Sequence, residues 1–461
     1  MKLPMPLSKN YLQILLLFPI ICYSQFEFEE SGSISLERPN DMYFDDVDSD
    51  GHLDIVTVGS DVTTVFYGNG NSVYNEVVID SEMHDFGSSV YAFDSDNDGD
   101  LEIIVGGSLF ISISTNLGDR KFETVDLITE LPFYPQEVAI KSVITLGSLD
   151  FNNDGLLDLV GGNQADYDIF IMENLGNGQF TNGEIIYTNG DSDQNNNMLN
   201  QIKIIDFNED GYDDIVTLFD EHVTLSLNDQ AGGFSSEELI SEPEANLYSF
   251  TIQDFNNDDI IDLAMVDFPD QLLIYYFNPN GTYNKEVTKV STNSLISISS
   301  ADVDLDGDYD LAFSTFIDGK VFFSLNENGR FQSHTLLKEN FGASYVDFAD
   351  LNGDGKADLV SRGLANDKII WFENQTVLNI EDPNKVVVYP TIFSKGLTIE
   401  NSTRNKIKYS IADFNGKIVL KGSSTSDQIQ IPTDNLSSQS YILKILTDSK
   451  VFVRKILKSN E

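Results

Sequence analysis

The sequence predicts an all-β protein: a seven-bladed β-propeller followed by a small C-terminal β-sandwich. Three observations predict it. First, a nine-residue acidic segment is written seven times, as DVDSDGHLD from Asp46 and again from Asp94, Asp150, Asp206, Asp254, Asp302 and Asp350. Successive copies lie 48, 56, 56, 48, 48 and 48 residues apart, and a fixed period near fifty marks a repeat architecture. Second, short runs of β-branched and aromatic residues at period two flank each copy, such as SSVYAF before and LEIIVGG after the second. Such runs bounded by Gly and Asp read as strand, loop, strand. Third, an apolar run ending in Asn follows each loop, at Asn69, Asn116, Asn174, Asn228, Asn278, Asn326 and Asn374. A Gly-rich turn and an aromatic then open a fourth strand, with Asn and Gly expected to supply the positive φ of the turn.

Four strands per repeat and seven repeats give a propeller of ordinary size. The last repeat lacks its fourth strand, because VLNIEDPNKV after Asn374 is a polar linker with Pro383. The segment FEFEESGSISLE ahead of the first loop stands at the spacing of the missing strand. It is expected to complete the seventh blade and close the circle, leaving no unpaired edge. The second and third repeats carry extra length near Thr129–Lys141 and Asp191–Gln201. These stretches fall on the face opposite the acidic loops. They are tolerated surface insertions or a recognition site, with Phe133 and Tyr134 between two prolines as the contact.

The acidic segment asks for a cation. Oxygens at alternate positions of a tight turn converge on one point, and calcium accepts six to eight oxygens in flexible geometry. The expected ligands in the first two loops are Asp46, Asp48, Asp50, His52 and Asp54, then Asp94, Asp96, Asp98, Asp100 and Glu102. The third and fourth offer Asp150, Asn152, Asp154, Leu156 and Asp158, then Asp206, Asn208, Asp210, Tyr212 and Asp214. The fifth offers Asp254, Asn256, Asp258, Ile260 and Asp262. The last two offer Asp302, Asp304, Asp306, Asp308 and Asp310, then Asp350, Asn352, Asp354, Lys356 and Asp358. The seventh residue of each loop gives only its backbone carbonyl. A sharp bend at the sixth place suits Gly, which stands there in every loop except the fifth, where Asp259 makes the weakest site. A solvated acidic turn would explain one copy, not seven in register. Without a cation, each like-charge pair would cost about 1 kcal/mol in water. Up to seven structural calcium ions are therefore expected. The twelfth positions lack the Glu of an EF-hand, magnesium prefers a rigid octahedron, and zinc calls for Cys and His, of which the chain holds one and four.

The loops resemble FG-GAP or VCBS-type repeats of integrin-like and lectin-like propellers, over about residues 26–376. That resemblance implies a calcium-stiffened propeller of the kind used in adhesion or glycan binding.

Charge divides the chain. Of 27 basic and 75 acidic side chains, residues 25–386 hold 14 and 69, whereas residues 387–461 hold 11 and 6. The acidic part excludes nucleic acid and anionic membrane as main partners, since both need a basic face. The N-terminal segment joins Lys2 and Lys9 to an apolar run from Leu12 to Cys22 and a small Ser24. It reads as a secretory signal peptide, residues 1–24, too short to span a membrane. Cys22 is the sole cysteine, so no disulfide is expected. No later run is apolar enough for a transmembrane segment. The expected division is then 25–376 propeller, 377–386 linker and 387–461 C-terminal domain. In that last part KIKYSIADF, KIVLKG, SYILKIL and KVFVRKILK alternate as strands, with a hairpin turn at Asp413–Gly416. It resembles the type IX secretion sorting domain of Bacteroidota through VYP, FSKGLTIEN, ADFNGKIVLKG and VFVRKILK. The resemblance implies that residues 387–461 engage the type IX secretion machinery, placing the mature protein in the medium or on the outer cell surface.

No nucleophile elbow, phosphate loop, zinc-binding helix or dinucleotide fingerprint occurs, and the metal loops account for the paired carboxylates. The expected activity is binding or adhesion toward a glycan or surface protein. An enzyme acting on polysaccharide, or a structural member of a surface complex, are the alternatives. Trp371 and Tyr275–Tyr276 could stack on sugars, but each falls in an expected strand where core packing is the plainer role.

Overall fold

The computed structural model describes residues 27–376, apart from 60–61, 81–86, 109, 129–142, 165–166, 189–197, 230–231, 291–293 and 340. It also describes residues 386–458, apart from 390–391, 394–395, 402–405, 413–416, 434, 437–439 and 448–450. The signal peptide, nearly all of the linker, Phe133, Tyr134 and the turn at Asp413–Gly416 lie outside the described residues. Among the described residues every regular element is a strand.

Between residues 28 and 374 the chain forms seven four-stranded antiparallel sheets. Their first strands are Asp41–Asp45, Gly87–Phe93, Val143–Leu149, Leu199–Ile205, Leu247–Gln253, Leu295–Ala301 and Ala343–Ala349. In the first six sheets, strands follow one another in chain order from first to last. In the seventh, the fourth place is taken by Phe28–Ser35 from the other end of the chain, paired antiparallel to Lys368–Asn374. The register runs from Phe28 opposite Asn374 to Ser35 opposite Lys368, with one irregularity between Glu30 and Gly32. The Trp371 indole lies across Gly32, where any Cβ would collide with it. Gly at that strand position makes room for the aromatic.

Burial follows position within a sheet. Second and third strands are covered on both faces, so segments such as DIVTV and TTVFY are buried throughout. Fourth strands alternate with water, and YNKEVTK is almost wholly exposed. Neighbouring sheets share apolar clusters, as where Val216, Leu225 and Leu263 meet Tyr275 and Phe250. The seventh sheet packs against the first in the same way, through Val360, Ile369 and Trp371 against Met42, Ile55 and Phe66. Trp371 and Tyr275 are thus core residues. Each such side chain contributes about 1.5–3 kcal/mol when fully buried.

Polar contacts repeat between first strands. The side chain five residues ahead of one loop accepts the backbone N–H four residues ahead of the next. The pairs are Val90 N to Asp41 Oδ2 at 3.0 Å, Ile202 N to Thr145 Oγ1 at 3.3 Å and Phe250 N to Gln201 Oε1 at 3.0 Å. Ile298 N to Ser249 Oγ at 3.3 Å and Val346 N to Ser297 Oγ at 3.2 Å continue the series. A first strand has no hydrogen-bonded neighbour on its inner edge, and these bonds satisfy part of that edge.

The C-terminal residues form a three-stranded sheet (Val386–Tyr389, Gly396–Asn401, Gln428–Pro432) and a five-stranded one. The second holds Ile392–Phe393, Val451–Lys458, Ser440–Leu446, Ile407–Ala412 and Ile418–Ser424. Leu397, Ile399 and Ile431 from the first sheet share one core with Ile411, Tyr441 and Leu443 from the second.

Candidate metal loops

Each acidic loop links the first strand of a sheet to its second, so all seven leave their sheets at equivalent points. The first carboxylate organises the turn. Its Oδ2 accepts the sixth residue's N–H in every copy, at 2.8 Å from Gly51 and 3.1 Å from Gly307. Its Oδ1 accepts the fifth residue's N–H in six copies; in the sixth loop Asp306 N turns to Asp304 instead, at 3.3 Å. The fifth carboxylate accepts the N–H of the seventh residue in all seven. Short acidic side chains thus fold the backbone around themselves, as Asx turns do.

Six glycines at the sixth place have φ between +85° and +105°. Asp259 takes φ +66° and keeps the same hydrogen bonds, so the fifth loop holds the shape of the others. A non-glycine residue in this region costs about 1–2 kcal/mol, least for Asp and Asn. Replacing Asp259 with Gly is therefore expected to stabilise the metal-free protein by about 0.5–1 kcal/mol, net of the added unfolded-state entropy. Thermal melting in chelator measures it, and an unchanged or lower midpoint would contradict the strain argument. A second left-handed position, the fourth, was not anticipated. Ser49, Asn97, Asn153, Glu209, Asn257, Leu305 and Gly353 all have φ between +58° and +70°. The Asn and Gly among them were the available signal.

The ninth residues, Asp54, Glu102, Asp158, Asp214, Asp262, Asp310 and Asp358, are buried. One oxygen accepts the N–H of the loop's second residue, as from Val47 to Asp54 at 2.9 Å. The other accepts an N–H at the end of the third strand, as from Asn174 to Asp158 at 2.7 Å. The sequence places this carboxylate among the expected ligands of the cation. Here it first ties the loop to two strands, and each oxygen keeps a further lone pair. Burial pushes these acids up: Asp158 to about 6, Asp54, Asp262 and Asp358 to about 7, and Asp310 to about 9. Asp304 and Asp306 rise to about 6 and 7, through burial first and neighbouring carboxylates second.

Two observations test whether these loops suit a cation. Three carboxylates come within 4.8 Å of one another at Asp46–Asp48–Asp50, at Asp94–Asp96–Glu102 and at Asp302–Asp304–Asp306. Those are the three loops with Asp rather than Asn at the third place; Asn152, Asn208, Asn256 and Asn352 offer neutral oxygens instead. In addition Asp48 Oδ1, Asn256 Oδ1 and Asp302 Oδ1 are buried without any hydrogen-bond partner. All three belong to first or third positions, and a buried unpaired oxygen is costly unless something meets it. The residues present fit a hard divalent cation. They would hold it through the first, third and fifth side chains and the seventh carbonyl, and the cation would supply positive charge to a crowded acidic turn.

Other cations reach three loops. Arg120 donates from Nε to Asp48 Oδ2 at 2.7 Å and lies over the Tyr67 ring at 4.2 Å. Lys356 Nζ stands 2.8 Å from Asp354 Oδ2 within its own loop. Lys444, in the C-terminal strand Ser440–Leu446, lies 3.0 Å from Asp302 Oδ2. The Arg120 and Lys444 pairings have no local sequence signature.

The strand-end Asn residues also differ from expectation. None of the seven has positive φ. In four copies the amide instead clamps one sheet to the loop of the sheet before it. Asn116 Nδ2 donates to Val47 O at 3.0 Å, Asn174 Nδ2 to Ser95 O at 2.6 Å, Asn326 Nδ2 to Phe255 O at 2.8 Å and Asn374 Nδ2 to Val303 O at 2.6 Å. In four copies the amide oxygen caps the following turn, at Asn71, Gly118, Gly176 and Thr376. A buried amide answers both needs at once, which explains Asn in place of Gly.

Segments 46–105, 206–265 and 302–361 match the FG-GAP-like repeat, and residues 387–459 match the secretion system C-terminal sorting domain. The chain carries FG-GAP-like repeats and a type IX secretion sorting domain. It is exported by type IX secretion to the cell surface or the extracellular space. No curated protein matches the chain. Among solved structures, BBS1N in complex with ARL6DN aligns at TM-score 0.51 and 13% identity, over 75% of this chain and 96% of that one. At that identity it supports the fold alone. An Agrocybe aegerita lectin, described as recognising non-reducing terminal N-acetylglucosamine, aligns at TM-score 0.49 and 15% identity over 87% of this chain and 99% of its own. PorZ, a surface component of the type IX secretion system of Porphyromonas gingivalis, aligns at 0.46 and 14% over 93% and 61%.

Proposed function

We propose that the seven FG-GAP-type sheets close as a seven-bladed propeller whose acidic loops bind structural calcium, and that this exported propeller is a binding or adhesion module for glycan or protein. The observation that carries the reading is the common frame of the seven loops. Each wraps its backbone around the first carboxylate, and three leave a first- or third-place oxygen buried and unpaired. Calcium suits such a frame because its coordination number and angles are forgiving, so loops with Asp or Asn at the third place can both serve. One ion per sheet at equivalent points stiffens turns and takes no part in chemistry. The carboxylates are thereby accounted for, which favours binding over catalysis on one rigid scaffold. The sorting domain supports display at the surface, where such a module would meet its ligand.

Calorimetric titration of the mature protein with calcium, together with retention of the protein on glycan arrays and on whole cells, tests the reading. Several calcium ions bound per chain and retention without product release are the expected results. Release of oligosaccharides from polysaccharide would assign an enzyme instead. Absence of calcium binding would remove the structural role of the loops.

A further inference from the structure

At the ends of the first strands away from the acidic loops lies a cavity of about 340 Å³. All seven sheets line it, through residues three to six places ahead of each loop, with Arg362 added from a second strand. We propose that this axial mouth is a binding site for a neutral saccharide, one or two sugar residues at the end of a chain. The inference rests on the reading of the protein as a binding module and gives that module a site and a ligand class.

Four tyrosines reach the cavity, Tyr43, Tyr91, Tyr248 and Tyr345. The Tyr43 and Tyr91 rings lie 4.8 Å apart at 60° and form one aromatic wall. Aromatic faces suit the C–H-bearing faces of a pyranose, with the phenol as a polar tip. Tyr345 is fixed by donating its hydroxyl to Asp347 Oδ2 at 2.9 Å, and its ring lies 5.0 Å from the Arg362 guanidinium.

The polar groups are held in set orientations. Gln201 Oε1 is taken by Phe250 N at 3.0 Å and Ser249 Oγ at 3.3 Å, so its amide presents N–H donors. Asn200 Nδ2 is taken by Leu247 O at 2.6 Å and Asp220 Oδ1 at 2.7 Å, so its amide presents the oxygen. An oriented donor beside an oriented acceptor is what a sugar hydroxyl needs, since a hydroxyl both donates and accepts.

The charge balance selects a neutral ligand. Among the described residues lining the cavity, Asp41 and Arg362 are the only charged ones. Arg362 Nη1 lies 3.5 Å from Asp41 Oδ1 and also donates to the Asn40 carbonyl. The pair cancels, leaving neither an unanswered guanidinium for a uronate nor an unanswered carboxylate for an amine. About a quarter of the Asp41 side chain remains accessible, and a carboxylate can accept two vicinal hydroxyls. A volume near 340 Å³ is at the lower end of the roughly 300–1,000 Å³ of ligand pockets. That suits a chain end rather than a polymer threaded through. Strand-borne residues from seven sheets give the preorganisation that a weak, hydroxyl-rich ligand requires.

The experiment uses the mature secreted chain with calcium on an array of neutral, uronate-containing and amino-sugar oligosaccharides. The unmodified protein is expected to retain neutral oligosaccharides. Ile296 lines the cavity and carries no polar contact, so Ile296→Trp fills the mouth without removing a hydrogen bond. Affinity for the neutral glycan is expected to fall at least tenfold in Ile296→Trp at an unchanged melting temperature. Ile144→Trp, from another sheet, repeats the test should the first variant fold poorly. Unchanged affinity in both variants, retention only of charged glycans, or no neutral glycan retained would overturn the proposal. If whole-cell retention survives both tryptophans while the array is silent, the saccharide site falls and the binding module stands. If cells are not retained either, both fall.

Discussion

Chelating calcium is expected to lower the melting temperature of the mature protein by about 26 °C. Each ion bound at a hundredfold excess over its Kd contributes about 2.7 kcal/mol, so seven contribute about 19 kcal/mol. Unfolding some 350 residues carries an entropy of about 0.7 kcal/mol per kelvin, and the quotient is the expected shift. The chelated protein should also lose stability as pH rises. Burial pushes five of the ninth-position acids, Asp54, Asp158, Asp262, Asp310 and Asp358, up to about 6 to 9, above the ordinary value of an exposed Asp. A raised carboxyl pKa contributes stability that is complete below the unfolded value, near 4, and is lost as pH climbs through the folded value. The metal-free midpoint should therefore fall between about pH 5 and pH 9. With calcium present the trend should flatten or reverse, because the cation favours the ionised carboxylates. Calorimetry across this range, with and without chelator, is the measurement. Identical curves would reduce the loops to acidic turns.

Deleting Phe28–Ser35 is expected to aggregate the protein or to destabilise it strongly. That strand completes the seventh sheet, places Ile34 beside the cluster of Trp371 and Met42, and sets Phe28 against Phe323 at 5.6 Å. Without it Lys368–Asn374 becomes an open edge, a template for pairing with other chains. The shortened protein should elute as aggregates or melt more than 10 °C lower, an order-of-magnitude figure from several lost core side chains. A synthetic peptide of residues 26–37 should restore part of the loss by occupying the vacated edge. Size-exclusion chromatography and calorimetry read both effects. A deletion variant that stays monomeric and melts like the parent would show that the two chain ends contribute nothing to the seam.

Much of this was readable from local pattern. An Asp-rich loop with Gly at its sixth place encodes a turn whose partners lie within eight residues, so Asp46 and Gly51 could be paired from spacing alone. Period-two strands on either side set the sheet order, and the absent strand after Asn374 pointed to the first segment of the chain. The C-terminal match was visible through its strands and turn residues. By contrast, Asn116 reaches Val47 across 69 residues and Asn374 reaches Val303 across 71. Taken singly each Asn looks like a turn former, and only the stacking of one sheet on the next turns it into a clamp.

Local hydrogen-bonding and side-chain period are written into consecutive residues, and they determined the seven loops, the four-stranded repeat and the sorting domain. What followed from packing alone involves groups one or more repeats apart. Arg120 and Lys444 stand beside loops one and six. The tyrosines and amides of the axial mouth come together from separate sheets. These meetings depend on the angle and separation at which apolar sheet faces come to rest, a property of the whole core that no single repeat contains.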